Sequence, residues 1–216
     1  MPIEAKICGV RSREAAIAAA RGGARWVGFN FYPPSPRSLT PIEALALAEG
    51  APPSLGTVGV FVDPGDDQLE DTLRQVPLDL IQLHGSETPR RVAEIRARFG
   101  LPVMKAITLA TADDLAPVDD YLGVADRILF DAKVSKRKKK DALPGGNAIA
   151  FDWRILAGQT WSKPWMLSGG LDAENVKQAI EITSARAVDV SSGVEVKPGQ
   201  KAPEKISAFL QATCQL

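Results

Sequence analysis

Two side chains far apart in the sequence could together move protons on a small molecule. Cys8 ends the apolar run "EAKIC" and precedes Gly9, and Asp131 falls near the end of "RILFDA". A thiolate is a competent base and a carboxylic acid a competent proton donor. Taken alone, Cys8 reads equally well as a small buried hydrophobe, and Asp131 as a cap or half of a loop ion pair. His84, the one histidine of the chain, lies in "DLIQLHG" and reads as a structural polar group or as support for a catalytic neighbour. Two further stretches suit an anion. "LSGGLDAENV" sets Gly169 and Gly170 before a helix expected to be capped by Asp172, and "VDVSSGVE" carries Asp189, Ser191, Ser192 and Gly193. Glycines let backbone N–H groups approach an anion closely, and serines add donors. Singly, each is also an ordinary turn. Arg37, in the stiff segment "YPPSPRSLT", could grip a planar carboxylate with two hydrogen bonds or stand solvated in a loop.

These residues need elements to hold them. Eight short apolar runs recur: "AKICGV", "WVGFNF", "GTVGVFV", "DLIQLHG", "PVMKAI", "RILFDA", "PWMLSGG" and "AVDVSSG". Most are continuous rather than alternating, which suits parallel strands covered on both faces. Helical patterns lie between them. "SREAAIAAARGG" offers Ser12 as N-cap and glycines as a stop; "SETPRRVAEIRARFG" aligns Val92, Ile95 and Phe99 before Gly100. Leu69, Leu73 and Val76 share a face, as do Val176, Ala179 and Ile180, and again Ile206, Phe209 and Leu210. Strand then helix, eight times at roughly 27 residues per unit, predicts one closed (β/α)8 TIM barrel over residues 1–216. An open doubly wound sheet would favour an early G-x-G-x-x-G turn, which "CGVRSREA" lacks. In such a barrel chemistry sits at the C-terminal ends of the strands, and the loops after strands seven and eight cradle phosphate. That places Cys8, Asn30, Asp63, His84, Asp131, Ser168 and Asp189 at the mouth, with Lys105 within strand five.

Composition narrows the alternatives. Lys plus Arg and Asp plus Glu both number 26, so net charge gives no pull toward nucleic acid or a membrane surface. Cys8 and Cys214 are the only cysteines, without C-x-x-C, which disfavours a zinc site or a disulfide scaffold. The first residues lack a signal-peptide pattern, and no apolar stretch approaches the ~20 residues of a membrane span. A cytoplasmic protein without an obligate protein partner is expected. The connection after strand six, "DAKVSKRKKKDALPGGNAIAFDW", carries an unbroken basic run from Lys136 to Lys140. It reads as a solvated loop, or as a lid that attracts an anionic substrate.

The fragments "KICGV", "GVFVD", "IQLHG", "LFDAK", "FDW", "LSGGL" and "VDVSSGVE" occur in this order between Lys6 and Phe209. In this the chain resembles the phosphoribosylanthranilate isomerase family of tryptophan biosynthesis. The resemblance implies a (β/α)8 barrel and an Amadori rearrangement of N-(5-phosphoribosyl)anthranilate, with no cofactor and no metal. It puts the general base on Cys8, the general acid on Asp131 and the anthranilate carboxylate on Arg37. The phosphate falls to Gly169, Gly170, Ser191, Ser192 and Gly193, with Asp189 beside them. Such chemistry calls for a lowered thiol pKa at Cys8 and a raised carboxyl pKa at Asp131. The sister isomerisation of histidine biosynthesis would favour aspartate at position 8. The stretch before "FDW" departs from the family, with Asn147 and Ala148 for a small pair and Gly145 and Gly146 as possible hinges.

Overall fold

The apolar runs form eight parallel strands that close on themselves in chain order, each hydrogen-bonded to the next and the eighth to the first. The computed structural model describes residues 3–133 and 151–214. The basic run Lys136–Lys140, the glycines Gly145 and Gly146, and Asn147 and Ala148 lie outside the described residues. The order is β1 (Glu4–Cys8), α1 (Arg13–Arg21), β2 (Trp26–Asn30), α2 (Pro41–Glu49), β3 (Gly56–Phe61), α3 (Asp66–Gln75), β4 (Leu80–Leu83) and α4 (Pro89–Phe99). Then follow β5 (Val103–Leu109), α5 (Val118–Leu122), β6 (Arg127–Ala132), β7 (Trp165–Leu167), α6 (Val176–Thr183) and β8 (Ala187–Val190). A small antiparallel hairpin, β9 (Glu195–Lys197) and β10 (Gln200–Lys201), leads into α7 (Pro203–Cys214).

Local signals explain the helix boundaries. Ser12 Oγ accepts from Ala15 N at 3.2 Å to start α1, and Gly22 follows its end. Thr88 with Pro89 opens α4, and Gly100 stops it at φ 67°, a left-handed geometry natural to glycine. The inward faces largely follow the spacing, with Leu73 and Phe99 half-buried against the core. Leu69, Val92, Ile95, Val176, Ala179, Ile206, Phe209 and Leu210 are all buried, packing the helices onto the barrel's outer surface. The described part of the connection from β6 to β7 contains no α-helix. Between residue 151 and β7 the chain makes only a 3-10 turn, Trp153–Leu156, capped by Asp152 and followed by Gly158 at φ 72°. Gly158 and Pro164 leave no room for a longer helix there. Among the described residues, no helix is long and apolar enough to cross a membrane.

Helix α7 closes the ring against α1 and β1, and Phe209 is its fully buried anchor. Phe209→Ala is expected to lower unfolding stability by about 3–5 kcal/mol, the usual loss for a buried aromatic. Urea denaturation should show a lower midpoint at unchanged slope.

Candidate active site

Alternation along each strand decides which side chains reach the barrel axis. A buried apolar cluster that includes Trp26, Leu80, Leu129, Met166 and Ala187 occupies the axis. Two residues further along the same strands, on the same face, stand Gly28, Gln82, Asp131, Ser168 and Asp189. Strand β1 contributes no apolar residue to that cluster. Lys6, level with Trp26, and Cys8, level with Gly28, take its inward face instead.

Lys6 is fully buried, and its ammonium donates to Asp189 Oδ1 at 2.8 Å. Ser168 Oγ donates to the other oxygen of Asp189 at 3.2 Å. Cys8 lies directly beside this pair. A side-chain carbon on Gly28 would come within 3.0 Å of Cys8 Sγ and 3.3 Å of Lys6 Nζ, so the neighbouring strand must carry glycine there. Burial pushes the Cys8 thiol above its ordinary pKa; Lys6 opposes this most strongly, Asp189 adds to it and Lys201 opposes it. This corrects the expectation of a lowered thiol. The ammonium nearest the sulfur is already largely neutralised by Asp189, so it does not overcome desolvation. Burial would lower the Lys6 ammonium, yet Asp189 and then Cys8 hold it above its usual value.

A second charged group stands at the rim. Arg37 forks onto Glu195, Nε to Oε1 and Nη2 to Oε2, both at 2.8 Å, with both side chains buried. Lys201 Nζ donates to Glu195 Oε1 at 2.9 Å, to Ser191 O at 2.9 Å and to Ser191 Oγ at 3.2 Å. Burial alone would raise the Glu195 carboxyl, but Arg37 and Lys201 hold it below its ordinary value. Burial prevails at Lys201, whose ammonium sits below its usual value despite Glu195. The loop carrying Arg37 is stiff, as its prolines suggest. Asn30 Oδ1 accepts from Tyr32 N at 2.8 Å, Leu39 N returns to Asn30 O at 2.8 Å, and Ser35 Oγ accepts from Arg37 N at 3.2 Å.

Across the mouth, Asp131 Oδ1 accepts from Ala132 N at 2.8 Å, and Oδ2 meets His84 Nε2 at 3.1 Å. The other ring nitrogen of His84 meets Gln82 Nε2 at 2.7 Å. Strands β7 and β8 separate Asp131 from Cys8 along the shorter arc of the ring, and their loops carry the glycines and serines. Gly169, at φ 88°, turns so tightly that a side-chain carbon would lie 2.7 Å from Ala132 N, beside Asp131. A side chain on Gly193 would strike the Leu171 carbonyl, so the two loops pack directly on each other. Ser192 and Gly193 form a 3-10 turn, Ser192–Val194.

One expectation shifts, and two further residues take structural partners. Asp172 is not the cap of α6. Its Oδ1 accepts from Glu174 N and Asn175 N, each at 2.9 Å, in a turn ahead of the helix, and Asn175 donates to Gly170 O at 2.9 Å. Lys105 has the opposite parity to Met104 and Ala106, so it points away from the axis. It donates to Glu87 Oε2 and Gly85 O, both at 2.7 Å. Asp63, at φ 45°, accepts from Ser86 N at 2.7 Å and fixes the loop after β4. Lys6, Gln82, Glu195 and Lys201 were not singled out from sequence. For the first two the signal was available: each lies two residues before a singled-out residue on the same strand.

A (β/α)8 barrel that gathers a thiol, a carboxylic acid and Gly/Ser loops at the C-terminal ends of its strands is built like the barrel enzymes that handle phosphorylated small molecules. The family model described as N-(5'-phosphoribosyl)anthranilate (PRA) isomerase matches residues 5–212. The N-(5'-phosphoribosyl)anthranilate isomerase of Paramagnetospirillum magneticum is 53% identical, over 98% of this chain and 97% of its own. That of Paracoccus denitrificans is 54% identical, over 97% and 96%. The crystal structure of phosphoribosyl anthranilate isomerase from Thermotoga maritima superimposes with a TM-score of 0.88 at 34% identity, covering 99% of this chain and 100% of that one. A structure of the isomerase with reduced 1-(o-carboxyphenylamino)-1-deoxyribulose 5-phosphate matches with a TM-score of 0.82 at 32% identity, over 99% and 100% of the two chains. The chain belongs to the N-(5'-phosphoribosyl)anthranilate isomerase family, aldose–ketose isomerases of tryptophan biosynthesis.

Lys6→Met removes the ammonium and leaves Asp189 buried with only Ser168. A loss of about 3–5 kcal/mol of unfolding stability is expected, as for one broken partner of a buried pair. In a Cys214→Ser background, the iodoacetamide reactivity of Cys8 should rise with pH along a curve displaced upward from an ordinary thiol. Lys6→Met should displace it further, because the main influence favouring the thiolate is gone. An inflection below that of an ordinary thiol would contradict this account.

Proposed function

We propose that Cys8 and Asp131 carry out a cofactor-free Amadori rearrangement of N-(5-phosphoribosyl)anthranilate to 1-(2-carboxyphenylamino)-1-deoxyribulose 5-phosphate. The substrate is an aminoaldose closed as a furanose ring. Asp131 gives its proton to the departing ring oxygen, and the ring opens to a protonated Schiff base. That cation acidifies the neighbouring C2 proton, which Cys8 removes as thiolate. The resulting enolamine tautomerises to the aminoketose. One acid and one base on opposite sides of the sugar suffice for these transfers.

The observation that most supports this reading is the position of the two groups. Both end inward-facing positions of their strands, β1 and β6, with the Gly/Ser loops of β7 and β8 between them. Burial holds the Cys8 thiol above its ordinary value, so its thiolate depends on positive charge beside the sulfur, which a cationic Schiff base would supply. Lys6 adds a second positive charge next to the sulfur.

In this reading the phosphate binds Gly169, Gly170, Ser191, Ser192 and Gly193, whose loops pack together, and Asp189 lies beneath them. Arg37, anchored by Glu195, supplies positive charge opposite the anthranilate carboxylate. His84 supports Asp131. The enzyme works in the cytoplasm as one domain on a phosphorylated small molecule, without nucleic acid, membrane or obligate protein partner.

Cys8→Ser and Asp131→Asn should each lower kcat by about 10²–10⁴-fold, the usual range for a general base or acid. Arg37→Ala should act chiefly on KM. Wild type should restore growth of a tryptophan auxotroph lacking the isomerase, and Asp131→Asn should not. Soluble, folded wild type that fails to rescue would sink the assignment.

A further inference from the structure

Beneath Asp131 runs a short chain of polar side chains along the inward face of β4. Gln82 Nε2 lies 2.7 Å from His84 Nδ1, and His84 Nε2 lies 3.1 Å from Asp131 Oδ2. Gln82 is fully buried, and its Oε1 is buried with no hydrogen-bond partner among the described residues. An amide that sacrifices its own acceptor is oriented by something else.

The imidazole supplies the reason. A carboxylate accepts hydrogen bonds and donates none. When Asp131 is ionised, the hydrogen it shares with His84 is therefore on Nε2. A neutral ring then presents a lone pair at Nδ1, which needs a donor, and the Gln82 amide N–H is placed to give one. Turning the amide over would set Oε1 against Nδ1. The ring would have to carry its hydrogen on Nδ1 and show Asp131 a lone pair. Which ring nitrogen is protonated is set by the hydrogen bond the other one makes, so the amide of Gln82 controls what Asp131 faces. Among the described residues, nearby charges do not compete for the ring. On β5 the same face offers only Met104, Ala106 and Thr108. Glu87 pairs with Lys105, and Asp63 is engaged with the backbone of Ser86.

We propose that Gln82 is a positioning residue that holds His84 in its Nε2–H tautomer against Asp131. The carboxylate left when Asp131 gives up its proton then meets a donor already in place, and no group has to reorient during ring opening. The inference rests on the reading of Asp131 as the general acid.

His84 is the only histidine in the chain, so nitrogen-15 labelling of histidine reports this ring alone. NMR of the substrate-free wild type near neutral pH should show Nε2 protonated and Nδ1 as a bare, hydrogen-bonded acceptor. Gln82→Glu presents only acceptors and should move a proton onto Nδ1. Gln82→Met should lose the single-tautomer signature and lower kcat about 10- to 100-fold, as is usual when a group fixing an imidazole tautomer is removed, with KM little changed. A wild-type ring protonated at Nδ1 alone would overturn the proposal. So would Gln82→Met and Gln82→Glu proteins with wild-type ring signals and full kcat. Full activity in Asp131→Asn would instead remove the acid role and leave the wild-type ring signals as expected, so the two failures are distinct.

Discussion

The buried ion pair of Lys6 and Asp189 is the interaction on which the candidate site depends. Two ions taken out of water need near-ideal pairing, or the loss of solvation exceeds their attraction. Here the pair spans β1 and β8, the two strands that meet when the barrel closes, at 2.8 Å. Ser168, from β7, completes the coordination of Asp189. Three consecutive strands of the ring are thereby tied at one level, just below the thiol of Cys8. The pair also explains why an ammonium beside the sulfur does not bring the thiol below its ordinary value: burial outweighs Lys6, and Asp189 acts against it.

A second charged group sits above the first and does a different job. Arg37, Glu195 and Lys201 link the loop after β2 to the hairpin after β8 and, through Lys201, to Ser191. None of the three comes from a barrel strand. Their mutual hydrogen bonds tie these loops together, and the same loops bury Phe31, Leu39 and Val194 in the core. The rim therefore owes its shape to charge pairing and apolar burial together.

The barrel was legible because its strands are buried on both faces and read as continuous apolar runs. Glycines, prolines and caps such as Ser12 and Thr88 separate them cleanly. The rest was hidden for identifiable reasons. A continuous run conceals its own alternation, so the sequence placed Lys105 within strand five without showing that its parity points it at Glu87. The same parity, applied from Cys8 and His84, would have marked Lys6 and Gln82. Nothing local marks Glu195 and Lys201, whose partner Arg37 lies far away in sequence. Asp172 and Asn175 both favour turns and caps, and sequence alone could not decide which of them would stand at the helix start. The direction of the Cys8 shift depends on burial and on Asp189, neither of which is written around "KICGV".

The two groups to which the proposed mechanism gives proton transfer are built on different supports. Burial raises the Cys8 thiol, Lys6 opposes this and Asp189 adds to it. In the proposed mechanism a cationic Schiff base would act on the side of Lys6 and favour the thiolate where there is a proton to remove. Asp131 instead accepts from the Ala132 amide and meets the His84 ring, with Gln82 behind. In the proposed mechanism ring opening precedes proton abstraction, because the first step creates the charge that the second requires.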